Sequence, residues 1–433
     1  MDKLGRVLCS AAMLAVCGAS PVDFARADHW PQWRGPNNDG VSLETGIATR
    51  WSRTENIAWR VPLPGPAAAT PVVWGQQIFL TTVDGDNLDL LCIRTDGKQL
   101  WRRTLGQGNR NVRGDEGNSA SPSPSTDGKS VWAFMCNGEL ACYDFNGNLR
   151  WKFNVQDRYG KFNIQFGMTS TPVLDGDRLY FQLIHGDGNA STREACVACL
   201  DKGTGRAIWT HQRQSDARAG CEHSYSSPTI YRGGGREFLI THGADYVIGH
   251  DLSDGTELWR CGGLNPKASY NEALRFVASP LATQNLIIVP TAKRGPVVAI
   301  KPTAEGDVTD SPTAIQWKMP RDTPDVPSPL LVDQLVYLCR ENGNLMCLDA
   351  QTGDEVYHER TERDRHRASP VYADGKIYLT ARNGVVSVIR SGRKFELLAQ
   401  NELGEPVSAS PAISDGTLYL RSFHALYAIR KKR

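Results

Sequence analysis

Residues 369–379 read SPVYADGKIYL, and residues 410–420 read SPAISDGTLYL. Each stretch has an opening Ser-Pro, an apolar run, a turn and a second apolar run. Eight openers of this kind occur, at Thr70-Pro71, Ser121-Pro122, Thr171-Pro172, Ser227-Pro228, Ser279-Pro280, Ser328-Pro329, Ser369-Pro370 and Ser410-Pro411. Successive prolines are 51, 50, 56, 52, 49, 41 and 41 residues apart. A period of about 40–50 residues with four short strands is typical of a β-propeller blade.

Many repeats close with a tryptophan after a tight Asp-containing turn, as in Asp201–Trp209 and Asp251–Trp259. The last repeat ends without such a strand, and the missing strand precedes the first repeat at Asn56–Val61. A ring closed in this way leaves no open sheet edge. The sequence therefore predicts an all-β fold, an eight-bladed β-propeller of four-stranded antiparallel blades over residues 56–433, closed by an N-terminal strand.

Three repeats depart from the pattern. The sixth has Tyr357 and the seventh has Leu397-Leu398 where other repeats have tryptophan, and the fifth is lengthened by Thr303–Thr313. These departures are ordinary in a degenerate repeat. Residues 28–55, which include the segment Trp30–Gly40, are expected to pack on one face of the ring.

The N-terminus has the features of an export signal. Lys3 and Arg6 precede an apolar stretch at Val7–Ala19, and Ala25-Arg26-Ala27 has the small-x-small form of a cleavage site. We therefore predict a signal peptide over residues 1–27 and a periplasmic or secreted protein. The alternative is a lipid anchor at Cys17, which the bulky residue before it disfavours.

Charge and hydropathy give no sign of nucleic-acid binding or of a membrane span in the mature chain. The chain carries 49 basic and 47 acidic residues, a net charge of +2, which gives no reason to expect nucleic-acid binding. No segment after the signal is long and apolar enough to cross a membrane. We expect a soluble monomer.

The closing pattern of Ala198–Gly205 leading to Trp209 resembles the tryptophan-docking repeat of pyrroloquinoline-quinone (PQQ) propellers. That family includes quinoprotein dehydrogenases, the lipoprotein of the outer-membrane barrel assembly machine, and secreted propellers without known activity. The Trp30–Gly40 stretch and Gly243–Gly249 look most like the last group. The quinoprotein enzymes carry two adjacent cysteines beside the cofactor. This chain has neither a Cys-Cys pair nor a Cys-x-x-Cys-His haem site, which counts against a dehydrogenase.

Most of the cysteines are interpreted as structural. Four occupy one repeat position, which other blades fill with Gly249, Ala299, Val388 and Ala428: Cys92, Cys142, Cys199 and Cys347. A small buried side chain suits that position, and a free cysteine behaves as one. Cys196 and Cys199 have the spacing of a redox or zinc pair, but on a strand they point to opposite faces. The pairing of the remaining cysteines is left open: Cys136, Cys196, Cys221, Cys261 and Cys339.

Basic side chains recur at the start of the turn between the second and third strands. They occur in six of the eight blades: His185, His242, Lys293 with Arg294, Arg340, Arg382 and Arg421. Loops that enter the inner strands on the same face add further residues, including Arg113, Arg275, Arg365 and Arg367. Guanidinium groups bind carboxylate or phosphate bidentately, so these residues predict a basic funnel for an anionic ligand. The alternative is that they are solvated, or paired with acids such as Asp187, Asp245, Asp325 and Glu341.

Catalytic candidates are few. Glu222, His223 and Asp245 belong to the fourth blade, and a carboxylate with a histidine can act as a general base. The alternative is a hydrogen-bonded loop pair. The Asp residues of the repeat, such as Asp201, are expected to cap backbone N–H groups of their turns. No metal site is identified.

Two functional classes follow. The first is an exported, non-catalytic binding or scaffold module whose funnel face takes a protein, a glycan or an anionic small molecule. The second is a quinoprotein oxidoreductase, which the family resemblance implies would hold PQQ and Ca²⁺ in the funnel, with Glu222 or Asp245 as base.

Overall fold

The computed structural model describes residues 29–112, 117–185, 195–292 and 294–432. It contains eight sheets, each with four antiparallel repeat strands, arranged as the blades of a ring. Blades are numbered here from the first opener, and the strands of each blade are A to D from the channel outward. The predicted fold class is confirmed.

The strands of the first four blades have these bounds: blade 1, Val72–Trp74, Gln77–Asp84, Asn87–Arg94 and Gln99–Gln107; blade 2, Ser125–Thr126, Ser130–Phe134, Glu139–Asp144 and Leu149–Asn154; blade 3, Val173–Asp175, Arg178–Leu183, Cys196–Asp201 and Ala207–Gln212; blade 4, Thr229–Gly233, Arg236–Gly243, Tyr246–His250 and Glu257–Cys261. The remaining strands are: blade 5, Leu281–Ala282, Ile287–Pro290, Val297–Ile300 and Ile315–Met319; blade 6, Leu330–Val332, Leu335–Cys339, Asn344–Asp349 and Glu355–Arg360; blade 7, Val371–Ala373, Lys376–Thr380, Val385–Arg390 and Leu397–Glu402; blade 8, Ala412–Ser414, Thr417–Arg421, Ala425–Ile429 and Ile57–Pro62. The described helices are one α-helical turn, Gln156–Tyr159, and two 3₁₀ turns, Ala219–Glu222 and Lys267–Ser269.

Strand D of blade 8 comes from the N-terminal part of the chain. Ile57–Pro62 pairs antiparallel with Ala425–Ile429, with Trp59 opposite Ala428. The alternating half-buried and exposed residues of Ile57–Pro62 place Trp59 on the side packed against the core. The predicted closing strand is therefore confirmed.

The openers form a ring of hydroxyl groups around the channel. In seven successive links, the backbone N–H of one opener donates to the side-chain hydroxyl of the next, over 2.8–3.2 Å. The members of the ring are Thr70, Ser123, Thr171, Ser227, Ser279, Ser328, Ser369 and Ser410. This explains why each repeat opens with Ser or Thr, since the hydroxyl accepts a buried N–H of the preceding blade.

The predicted opener of blade 2 is wrong. The member of blade 2 is Ser123, two residues after the predicted Ser121, because strand A of that blade begins at Ser125. Two Ser-Pro pairs stand in tandem here, Ser121-Pro122 and Ser123-Pro124. The repeat spacing alone does not distinguish them.

The closing tryptophans dock on the next blade. The indole N–H of Trp317, for example, donates to the Ala350 carbonyl over 2.8 Å, and Trp59, Trp101, Trp151 and Trp209 make equivalent bonds. Of the six predicted sites, Trp59 and Trp151 are half-buried and the other four are buried. The fully buried Trp259 packs instead with Ala304 and Val308 of the blade 5 insertion.

The small-residue position of strand C lies opposite the closing residue of strand D. Cys92 faces Trp101, Gly249 faces Trp259, and Val388 faces Ala399. The tryptophan position of blade 7 is therefore Ala399, and the prediction of Leu397-Leu398 at that position is wrong. The size of one residue compensates for the size of the other: a Cβ on Gly249 would lie 2.1 Å from Trp259 Nε1. The nine described cysteines are all free, and Cys196 and Cys199 belong to separate clusters of the core. Cys92, Cys142, Cys199 and Cys347 are thus buried at this position, as predicted.

The insertion in blade 5 extends its neighbour. Residues Gly306–Asp307 pair in parallel with Trp259 and Arg260 and add a fifth strand to the outer edge of blade 4. Val308 N–H donates to the Arg260 carbonyl over 2.8 Å. The lengthened repeat thus covers a sheet edge that would otherwise be exposed.

Candidate functional site

Different loops and turns open on the two faces of the ring. Because adjacent strands are antiparallel, the loops between blades and the turns between strands B and C open on one face, called here the loop face. The turns between A and B, and between C and D, open on the other, called the turn face. A central cavity of about 500 Å³ occupies the channel and is lined by six hydroxyl-ring residues: Ser123, Thr171, Ser227, Ser279, Ser369 and Ser410.

Residues 29–42 run across the turn-face end of the channel. Trp30 exchanges backbone hydrogen bonds with Val73 of blade 1, and Tyr372 of blade 7 bonds Gly40 and Ser42. Trp33 lines the central cavity from this segment. Arg34, only 3% exposed, donates to the carbonyls of Asp39 and Pro329, both over 2.7 Å. The segment therefore ties together distant blades.

Charged residues lie at the loop-face mouth of the cavity. Arg367 pairs with Glu341 over 3.0 Å, and Asp325 lies beside them in the lining. Arg275 also lines the cavity, where its guanidinium lies 5.2 Å from the Phe166 ring centre and donates to Gln165. The mouth thus combines two arginines with two acids.

A second pocket, of about 440 Å³, adjoins this mouth on the loop face and is called here the arginine pocket. It shares Asp325 and Glu341 with the central cavity and is lined by four arginines of blades 5 to 7: Arg294, Arg340, Arg363 and Arg365. Arg340 pairs with Asp322 over 3.0 Å. The lining holds two more arginines than acids, so it favours anionic groups.

The structure separates the predicted basic residues into several environments. Arg294 and Arg340 meet in the arginine pocket, whereas Arg275 lies at the mouth of the central cavity. Arg382 is 8% exposed and stacks over Phe423 at 4.1 Å. Arg421 is fully buried between blades 8 and 1, where it donates to the Thr81 carbonyl.

The predicted histidines lie inside the blades. His185 is buried edge-on against Phe162, and His242 is buried edge-on against Phe276. Neither lies in the lining of the described pockets. Arg113 and Lys293 lie outside the described residues, as does Asp187.

Of the three catalytic candidates, Glu222 and His223 are adjacent in the chain, and the contacts of His223 differ from those of Asp245. The 3₁₀ turn ends at Glu222, and the half-buried His223 follows it. Burial and then the charge of Arg275 lower the pKa of His223. Asp245 lies instead beside Tyr270, whose hydroxyl donates to Asp245 Oδ2 over 2.5 Å. Burial raises the pKa of this carboxyl.

The described lining of the central cavity offers few ligands for a calcium ion. Calcium takes six to eight oxygen ligands, usually with several carboxylates. Within residues 29–112, 117–185, 195–292 and 294–432, no three His, Cys, Asp or Glu side chains are grouped so that they could hold a metal ion. Of the two acids in the cavity lining, Glu341 is paired with Arg367.

Two features of the site were not predicted from the sequence. Arg363 lines the arginine pocket, and the basic run from Arg363 to Arg367 was the signal that could have indicated it. Arg34 and Trp33 belong to a segment that was expected only to pack on the ring. Nothing in the repeat predicts that Trp33 lines the cavity, since the segment lies outside the repeats.

We predict that acid destabilises the protein through two buried histidines. Burial lowers the pKa of His242 and of His250 to about 3, whereas both have a pKa of about 6.5 when unfolded. The unfolded chain therefore takes up protons first, and stability falls as pH drops below about 6.5. Each histidine contributes about 1.4 kcal/mol per pH unit once the pH is well below 6.5. Between about pH 6 and 5, urea unfolding of His242→Leu should show a slope smaller by about 1 kcal/mol per pH unit. An unchanged slope would contradict a neutral buried His242.

Comparisons with known proteins agree with this architecture. A profile of the family described as outer membrane protein assembly factor BamB matches residues 44–180, 91–359 and 193–432. No curated protein sequence matches the chain significantly. None of the described helices is long and apolar enough to span a membrane.

Solved structures share the fold at low sequence identity. BamB from Moraxella catarrhalis is 12% identical with a TM-score of 0.62, covering 86% of this chain and 99% of its own. A europium-containing methanol dehydrogenase is 11% identical with a TM-score of 0.69, covering 93% and 91%. Quinohemoprotein alcohol dehydrogenase from Comamonas testosteroni is 11% identical with a TM-score of 0.67, covering 94% and 82%. At this identity the likeness shows the fold alone.

Proposed function

Because the chain belongs to the family of outer membrane protein assembly factor BamB, we propose that it is a non-catalytic binding module that docks an acidic segment of a partner protein. The observation that carries this proposal is the meeting of Arg294, Arg340, Arg363 and Arg365 in one loop-face pocket. The docking site is this pocket together with the adjoining mouth of the central cavity.

The shape of the site supports a polypeptide ligand. The arginine pocket and the central cavity share Asp325 and Glu341, so an extended chain can lie across both. Carboxylate side chains of the ligand would contact guanidinium groups in the arginine pocket and hydroxyl groups in the central cavity. Guanidinium–carboxylate pairs are bidentate and directional, which suits recognition of acidic side chains.

The rigidity of the site supports the same role. Arg340 and Arg365 belong to loops whose backbones are bonded to neighbouring segments, Arg340 N–H to the Asn344 carbonyl over 2.8 Å and Arg382 N–H to the Arg365 carbonyl over 2.6 Å. A site held in place loses little conformational entropy on binding. Catalysis finds no comparable support in the geometry, because His223 and Asp245 lie in different surroundings.

We also propose that the protein is exported to the cell envelope. Residues 1–27 have the form of a signal peptide, and the family description refers to the outer membrane. An envelope location would place the propeller among other exported proteins, where a docking module has partners. Cleavage after Ala27 remains the expected processing, with lipidation at Cys17 as the alternative.

A labelled hexaglutamate peptide tests the docking site by fluorescence anisotropy at low salt. The double variant Arg294→Gln, Arg363→Gln removes two exposed guanidinium groups, and we expect its affinity to fall about tenfold or more. The matched control is Lys129→Gln, Arg206→Gln, which removes two exposed charges from the turn face. Equal losses in both double variants would show only a general charge effect, and the proposal would be wrong. Absence of binding by the wild-type protein would also contradict it.

A further inference from the structure

A separate pocket of about 790 Å³ lies at the outer edge of blade 4 and is called here the acidic pocket. It is lined by four carboxylates and two aromatic rings: Asp216, Asp245, Asp307, Asp310, Tyr246 and Tyr270. None of these residues lines the central cavity or the arginine pocket. The acidic pocket is thus a different site with the opposite charge.

The blade 5 insertion builds one wall of the acidic pocket. Asp307 belongs to the short strand that pairs with blade 4, and Gly262 N–H donates to Thr309 Oγ1 over 2.8 Å. Asp307 Oδ1 accepts from the backbone N–H of Thr309 over 3.0 Å. Only the fifth repeat of the sequence carries this insertion, and the other repeats form four-stranded blades without one. The insertion is therefore not needed to form the ring, and besides covering the edge of blade 4 it lines this pocket.

Asp245 is the buried acceptor of the acidic pocket. The residue is only 6% exposed, and its Oδ2 accepts the Tyr270 hydroxyl. Its Oδ1 is buried and accepts no hydrogen bond of good geometry, although the nearby Asn265 amide helps to lower the pKa of the carboxyl. A buried carboxylate oxygen without a donor is costly, and native proteins rarely leave one in that state. A ligand that donates a hydrogen bond to Oδ1 would remove this cost.

Two cationic side chains of the protein already contact residues of the acidic pocket. Lys267 pairs with Asp216, and the Arg218 guanidinium lies 4.5 Å from the Tyr270 ring centre. These two cations leave the four carboxylates of the lining with an excess of two negative charges. The described residues contain no group of three His, Cys, Asp or Glu side chains that could hold a metal ion. An organic cation, which can also lie against tyrosine rings, fits better than a bare metal ion.

We propose that the acidic pocket binds an organic cation, an alkylammonium or guanidinium group, with Asp245 Oδ1 as its main acceptor. The group is carried either by a free polyamine or by a lysine or arginine side chain of a polypeptide. Both sources present the same N–H donors and positive charge. The site does not depend on the arginine pocket, so it stands whether or not that pocket docks an acidic segment.

Calorimetric titration at low salt tests this site with two probes, spermidine and the blocked peptide acetyl-Gly-Lys-Gly-amide. We expect millimolar or tighter binding of at least one probe, and a loss of about tenfold or more in Asp245→Asn, which removes a charge-assisted hydrogen bond. The exposed Asp310→Asn, which does not threaten folding, should weaken binding by a few fold. Glu305→Gln is the matched control, because Glu305 belongs to the same insertion but does not line the pocket.

The two probes distinguish the source of the cation. Tighter binding of spermidine supports a free polyamine, and tighter binding of the peptide supports a side chain of a partner. The proposal is overturned if neither probe binds, if Asp245→Asn and Asp310→Asn both bind like the wild-type protein, or if Glu305→Gln loses as much affinity as Asp245→Asn.

Discussion

Removing residues 29–62 lowers the melting temperature by about 5 °C or more, since a loss of about 5 kcal/mol shifts a chain of this size by roughly 1 °C per kcal/mol. The deletion removes strand D of blade 8 and leaves Ala425–Ile429 as an exposed edge. It also removes Trp30, Ile47 and Trp51, which are buried in the core cluster of blades 1, 7 and 8. Differential scanning calorimetry of the deleted and intact proteins measures this effect.

A peptide supplied in trans provides the control for this deletion. Residues 43–63 contain the closing strand and the contacts of Ala48 and Trp51 with blade 7, where Tyr378 donates to the Ala48 carbonyl over 3.1 Å. Added in excess, this peptide should restore much of the lost stability through binding, whereas a scrambled peptide should not. A deleted protein as stable as the intact one would contradict closure by the N-terminal strand.

Truncating a docked tryptophan is the second large effect. Trp317→Ala should lower the free energy of unfolding by about 3–5 kcal/mol, because it empties a buried aromatic site and loses the bond to Ala350. Chemical unfolding with urea measures the change. A loss below about 1 kcal/mol would show that the tryptophan does not hold blades 5 and 6 together.

A comparison of two glycine variants distinguishes the packing of Trp317 from the strain of the backbone. Gly353 has φ +76° and a Cβ there would lie 2.7 Å from Trp317, whereas Gly416 has φ +66° and open space around it. Both alanine variants carry the strain of a left-handed backbone. Gly353→Ala should cost about 1–3 kcal/mol more, because only it overpacks the indole. Equal costs would show that the contact with Trp317 is not tight.

The fold was predictable because each repeat encodes the same local and inter-blade contacts. The Ser or Thr of each opener accepts a hydrogen bond in the hydroxyl ring, and the closing tryptophan packs against the next blade. Because each blade makes these contacts, both residues recur at a regular spacing. The sequence does not distinguish Ser121 from Ser123, because the tandem Ser-Pro pairs are equivalent locally and only the bonds of Ser123 with blades 1 and 3 identify the ring member. The pairing of the blade 5 insertion with blade 4 is also non-local, and nothing in its sequence specifies the partner.

The site was less predictable because a loop position does not determine where a side chain points. Arg340 and Arg421 both begin a turn between strands B and C. Arg340 reaches the arginine pocket, whereas Arg421 turns between blades 8 and 1 and bonds backbone carbonyls. Burial lowers the pKa of Arg421 to about 9. Whether a basic residue lies in a pocket or between blades depends on the neighbouring blade, which the repeat pattern does not describe.

The most direct test of the docking proposal is hydrogen exchange of the intact protein with and without the hexaglutamate peptide. We predict slower exchange in residues 322–325, 340–342 and 363–367, which form the arginine pocket and the adjoining mouth. Exchange in the turn-face segment 29–42 should be unchanged. Protection confined to the turn face, or binding without protection of the arginine pocket, would contradict the proposal that the loop face docks an acidic partner.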